Sequence, residues 1–292
     1  MADESVKLSV PDQCVLTRAS IGMGEAKRKK RAHAAILEQQ PGCIYCAGVS
    51  RATTVEHMPP IQMFRERQRP KGLEFPACVE CNNGTSHSDL VASLMGRTYP
   101  DSDTDAGRQE LRKLLSAVSN NVPGLLKEMQ IGRGGQKLAL RDIPNLPTGS
   151  GVLRANGPIV TKHMRTFGAK LGFALHFEAL GTVVPQSGGV QPMYFTNVNA
   201  AKGELPKSII DMLPERRTLM QGKREVSEQF SYSWLLTEEK RHSVFYSVFN
   251  NSFSILAVTA LDRSEFLARN ADQHPVIAPG DFKARRSAAP NC

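Results

Sequence analysis

Two Cys-x-x-Cys pairs, Cys43-Ile44-Tyr45-Cys46 and Cys78-Val79-Glu80-Cys81, are the strongest chemical signal in this chain. Each pair offers two thiolates from one tight turn, and four thiolates suit a tetrahedral zinc ion. With no export signal visible, paired knuckles read as a structural metal site rather than a disulfide framework. A dithiol redox centre would usually need a single pair on a βαβ frame, which the pattern lacks. Cys14 and Cys292 lie near the ends without a partner motif and read as incidental. Between the knuckles stands Glu56-His57-Met58-Pro59-Pro60. A carboxylate beside an imidazole, just before a proline turn, can place one group on a metal and the other on a water. Asn82 follows the second knuckle in Cys81-Asn82-Asn83-Gly84, with His87 and Asp89 shortly behind. Zinc would then staple a segment carrying Glu56 and His57 to one carrying Asn82, which is the preorganisation a hydrolytic site requires.

Simpler roles are open at each position. Glu56 can pair with Arg51, Arg65 or Arg67. Asn82-Asn83-Gly84 reads as a tight turn with left-handed backbone angles, and Ser88-Asp89 as the cap of a following helix.

In combination and order, Cys43-x-x-Cys46, Glu56-His57-Met58-Pro59-Pro60 and Cys78-x-x-Cys81-Asn82 resemble the HNH endonuclease superfamily over roughly residues 24–95. The resemblance implies a ββα-metal fold, two strands holding the Glu-His pair and then a helix after the second knuckle. It also implies metal-dependent phosphodiester hydrolysis, with His57 as general base and Glu56 and Asn82 holding one divalent ion, magnesium or manganese. His87 is a further candidate ligand, and a softer ion such as zinc or nickel would go with it. Two features depart from the family pattern: Glu56 replaces the usual Asp, and Leu73-Glu74-Phe75-Pro76-Ala77 stands where an orienting Asn is expected. A zinc module that binds nucleic acid or a protein partner without cutting is the alternative reading, and a chain whose C-terminal half does the work is a third.

The elements around these residues follow from charge and periodicity. The 292 residues include 37 basic and 28 acidic side chains, for a net charge of +9, which favours a polyanionic partner. The expected partner is nucleic acid, duplex DNA ahead of RNA. Arg65, Arg67, Arg69 and Lys71, in the insert between the knuckles, are candidate phosphate contacts or simply a soluble loop. Lys27 to Arg31 are consecutive and so encircle a helix over residues 24–40, either as a solvated helix or as a phosphate-contacting arm. No apolar run reaches membrane-spanning length and MADESVKLSV holds no secretory core, so the expected location is cytoplasmic.

The organisation predicted is α+β: an N-terminal zinc-stapled ββα-metal module, then an α+β domain with a long buried helix and an antiparallel meander. Residues 1–23 form a loose arm, with Met23 an alternative start. Residues 24–98 form the zinc module and 99–143 a helical region broken at Val122-Pro123. Residues 144–158, rich in Pro and Gly, make a linker. In 159–280 a helix to Leu180 has apolar residues at steps of three and four. Strands follow at 193–197, 229–236, 243–250 and 252–260. Residues 281–292 are a basic tail. Tyr232, Trp234 and Phe245 read as core.

Overall fold

The computed structural model describes residues 25–98, 104–143, 151–213, 218–221, 224–237, 239–266 and 275–283. The arm 1–23, Cys14, Cys292, the linker residues 144–150 and the tail 284–292 lie outside them.

The basic segment forms α1, Glu25–Gln39, ended by Pro41-Gly42. The first knuckle turns back through Ala47 (φ 54°) and Gly48 (φ 75°), a left-handed pair that closes Gly48 N–H onto the Cys43 carbonyl at 2.9 Å. Strand β1, Thr54–His57, pairs antiparallel with β2, Glu74–Ala77, and the register sets Glu56 against Phe75 and His57 against Glu74. Helix α2, Val79–Gly96, begins directly on the second knuckle, and the Cys78 sulfur accepts the Cys81 N–H as its N-cap. Hairpin followed by helix is the ββα arrangement expected.

Two local expectations are corrected here. Asn82, Asn83 and Gly84 are helical and lie in the first turns of α2, so they make no left-handed turn. Ser88 and Asp89 sit in the middle of the same helix and cap nothing. Asn and Gly are poor helix formers, but the cap at Cys78 and the Asn82 side-chain bond to Thr54 outweigh that preference.

Helix α3, Asp105–Asn121, is capped by the Thr104 hydroxyl and stops before Val122-Pro123, where α4, Leu125–Met129, takes over. Helix α5, Arg133–Asp142, is the last element before residues 144–150. The long helix is α6, Pro158–Leu180, with proline in its first turn and Gly181 (φ 66°) closing its end. Glu128 caps its other end, accepting the N–H groups of Ile159 (3.0 Å) and Val160 (2.8 Å).

Strand β3, Gly189–Thr196, is longer than the expected 193–197 and gives way to α7, Asn197–Ala201, through a Thr196–Asn199 capping box. After α8, Lys207–Ile210, come the two-residue strands β4, Met220–Gln221, and β5, Arg224–Glu225. The expected meander is β6, Phe230–Leu236, β7, His242–Phe249, and β8, Phe253–Ala260. The sheet order is β3-β8-β7-β6, antiparallel throughout, so β3 covers the free side of β8.

Helix α6 sits between this sheet and the zinc module, packing on both α2 and β3. Its stretch from Gly168 to His176 is buried on every side. Phe167 meets Phe249 and Phe253 edge-on, at 5.7 and 6.4 Å between ring centroids. One apolar core runs from the knuckle residues through α2 and α6 to the sheet and Phe282, so the halves flanking residues 144–158 share it. Tyr232 and Phe245 are buried in that core and Trp234 packs half-buried against it. Among the described residues, no helix is long and apolar enough to cross a membrane.

Candidate zinc centre and the buried charges beside it

The four cysteines of the two knuckles are buried, and their sulfurs all lie within 4.8 Å of one another. Zinc fits them. Four thiols this close cannot all ionise without a cation between them. The Cys43 thiol falls to about 5, first through the hydrogen bond from Cys81, while burial lifts Cys78 to about 11. Cys81 is pushed up further, by its bond to Cys43 and then by burial. A divalent ion would resolve that competition by stabilising every thiolate at once. Backbone amides already point at the sulfurs: Ser50 N–H lies 3.4 Å from Cys46 Sγ and Cys81 N–H 3.5 Å from Cys78 Sγ. Among the described residues this is the one group of three or more His, Cys, Asp or Glu side chains whose ligand atoms converge so closely.

Glu56 points away from that group and into the protein. Its Oε1 lies 3.1 Å from Lys170 Nζ, and the same ammonium lies 2.6 Å from Asp89 Oδ2. The Lys170 side chain is 0% exposed, and those of Glu56 and Asp89 are 10% and 14% exposed. Burial works against the charged ammonium, but Asp89 and Glu56 together more than offset it, and the Lys170 pKa is raised. Burial likewise lifts Asp89 to about 6, with Lys170 opposing and Glu56 reinforcing. Tyr45, from inside the first knuckle, completes the cluster: the Lys170 ammonium lies 6.0 Å from its ring centroid. Tyr45 is fully enclosed, its hydroxyl and Asp89 Oδ1 have no hydrogen-bond partner among the described residues, and burial drives the phenol pKa well up.

His57 occupies the other face of β1, since successive strand residues alternate. Its Nδ1 lies 3.5 Å from Glu74 Oε1, the residue opposite it in the hairpin, and its ring centroid is 5.7 Å from that of His33 on α1. Burial lowers its pKa to about 4, helped by the neighbouring Arg69, His33 and Lys29, so the imidazole is neutral at pH 7. Arg69 reaches the same carboxylate, 3.4 Å from Glu74 Oε1.

The remaining expected site residues separate. Asn82 donates its amide to the Thr54 hydroxyl at 3.3 Å, and His87 is exposed further along α2. The divalent ion implied by the resemblance therefore fits this arrangement poorly: Glu56 already holds an ammonium, Asn82 is engaged by Thr54, and His87 stands apart. Of the four basic loop residues, Arg69 turns inward onto Glu74, and Arg65 is half-buried with its N–H on Gln229 Oε1 at 2.7 Å. Arg67 and Lys71 are exposed. The loop itself is tied to the second half of the chain by Lys71 N–H on the Met220 carbonyl and by the Arg224–Glu66 ion pair.

The sequence reading missed Lys170, Glu74 and His33. A signal existed for the first two. Lys170 is a cation inside the apolar stretch Gly168 to Phe177, and Glu74 lies in the segment where the orienting Asn was sought. Nothing local marks His33, which reaches His57 only because α1 lies against the hairpin.

No family model matches the chain, and neither a curated protein nor a solved structure does.

Proposed function

We propose that this protein is an HNH-type phosphodiesterase acting on nucleic acid, DNA first, on a scaffold held by one structural zinc. The observation that supports this reading most is the placing of His57: at the end of β1 in a zinc-stapled ββα unit, neutral, and backed by Glu74. Cys43, Cys46, Cys78 and Cys81 would hold the zinc, which supplies folding energy and fixes the strand-to-helix junction.

His57 is the general base. Nδ1 is enclosed, 3.5 Å from Glu74 Oε1 and without a hydrogen bond among the described residues, which leaves Nε2 as the nitrogen to take a proton from the attacking water. Lys29 and Arg69 repel a proton on His57 and attract a phosphate for the same reason. A bound phosphate opposes their field and so raises the His57 pKa from about 4, while burial, the larger cause of the depression, still holds it down.

The test is nicking of supercoiled plasmid by the zinc-loaded protein, alone and with magnesium or manganese, beside His57→Ala. Loss of general-base catalysis predicts a fall of about 100-fold or more in the variant, with unchanged zinc content and circular dichroism. Cleavage that persists in His57→Ala would remove the assignment. A second reading, nucleic-acid binding without cleavage, is favoured by the Lys170–Glu56 pair, because that pair occupies a carboxylate the hydrolytic site would use. It predicts salt-sensitive affinity with no cleavage in any metal.

A further inference from the structure

We propose that the Lys170 ammonium is the resident cation of the ββα site, supplied by α6 and seated between Glu56 and Asp89 in place of a divalent ion. This rests on the proposed function for what the seat is for; its own evidence is geometric.

Glu56 comes from β1, Asp89 from α2 and Lys170 from α6, so the three meet where the hairpin, the helix of the module and the second half of the chain converge. Nζ touches one oxygen of each carboxylate, at 3.1 and 2.6 Å, so a single cation bridges both. A bare lysine would not stay charged at zero exposure; the two carboxylates keep it so. A divalent ion touching the same oxygens would sit a few ångströms from a fixed positive charge in a poorly screened interior, where like charges repel strongly. The ammonium and the ion therefore exclude one another. Lys170 holds the carboxylate of Glu56 on the inner face of β1 and leaves His57, on the outer face, to the substrate. It acts through Glu56 and is a positioning residue.

The seat should become a metal site once the ammonium is gone. Lys170→Met keeps the length of the side chain and removes its charge, leaving two buried carboxylates with nothing between them. We would titrate the full-length, zinc-loaded protein with Mn2+ and follow the free-ion signal by electron paramagnetic resonance. Four proteins would be compared: wild type, Glu56→Gln, Lys170→Met and the double variant. The expected result is that wild type and Glu56→Gln bind Mn2+ alike. Lys170→Met gains one equivalent with at least tenfold tighter affinity, and adding Glu56→Gln removes it. A wild-type Mn2+ site that weakens tenfold or more in Glu56→Gln would overturn the proposal, as would a folded Lys170→Met protein with no gained site. Should Lys170→Met fail to fold, the wild type against Glu56→Gln still decides, since a resident ammonium predicts no Mn2+ site that depends on Glu56. These outcomes do not depend on cleavage. A protein that never nicks DNA but behaves as described loses the phosphodiesterase reading and keeps the resident lysine.

Discussion

Cys81 shows how much one side chain carries at the residue scale: it is a zinc ligand candidate, the donor that holds down Cys43, and part of the first turn of α2. Cys81→Ser should therefore lose the metal and lower the thermal midpoint sharply, measured by zinc content and calorimetry; a variant that keeps one equivalent of zinc would contradict the four-sulfur site. A different residue sets an acid limit. His176 is buried against Ser243, with Nδ1 2.9 Å from the hydroxyl, and burial lowers its pKa to about 4. Its folded state binds a proton more weakly than its unfolded state, so stability is unaffected above pH 6.5 and is lost as pH falls from there towards 4. By pH 5 this single group should remove about 2 kcal/mol, read as the difference in urea stability between wild type and His176→Gln at pH 7 and pH 5. The four-cysteine cluster was legible from sequence because the spacing within each knuckle is local. The partners of Glu56 and His57 were not, because Lys170 and Glu74 reach them only through the packing of α6 and the register of the hairpin. The ion pair Glu56 makes is with Lys170, far away in sequence, and not one that its neighbouring arginines would have suggested.

At the scale of elements, alternation and helical period located α1, α3, α6 and the strands β6 to β8 within a residue or two. The misses occur where tertiary contact overrides local preference. Asn82-Asn83-Gly84 joined α2, and β3 began four residues before the segment that looked strand-like because it pairs along all of β8. Two small residues on α6 let it lie close to β3. A methyl group on Gly172 would come within 2.6 Å of Val190 Cγ1, and one on Gly168 within 2.9 Å of Pro192 Cβ. Alanine is the better helix former by about 1 kcal/mol, whereas overpacking a close contact costs roughly 1–3 kcal/mol. Gly172→Ala should thus be net destabilising, by up to about 2 kcal/mol, in a denaturant titration; a variant more stable than wild type would mean that α6 has room to move away from the sheet.

Across the whole molecule, the charge of +9 has a location among the described residues: Lys27 to Arg31 are exposed on α1, which lies against the hairpin bearing His57, and Arg67 and Lys71 are exposed on the loop beyond it. Removing both loop charges (Arg67→Ala with Lys71→Ala) should weaken binding to duplex DNA of any sequence. It should also flatten the slope of log affinity against log salt by about 2, measured by fluorescence anisotropy. An unchanged slope would make the loop a bystander and leave α1 as the phosphate surface. The last described segment has a consequence of its own. Gly280 N–H bonds the Tyr45 carbonyl at 2.8 Å, Lys283 reaches the Ser50 hydroxyl at 3.0 Å, and Phe282 closes edge-on over Tyr45. A chain synthesised from its N-terminus has both knuckles before α6 exists, and α6 packing on Ile44–Cys46 covers the first of them only in part. Only after residue 283 has emerged is that covering complete, so a metal bound by the four sulfurs would be enclosed in two stages, by α6 and then by this segment.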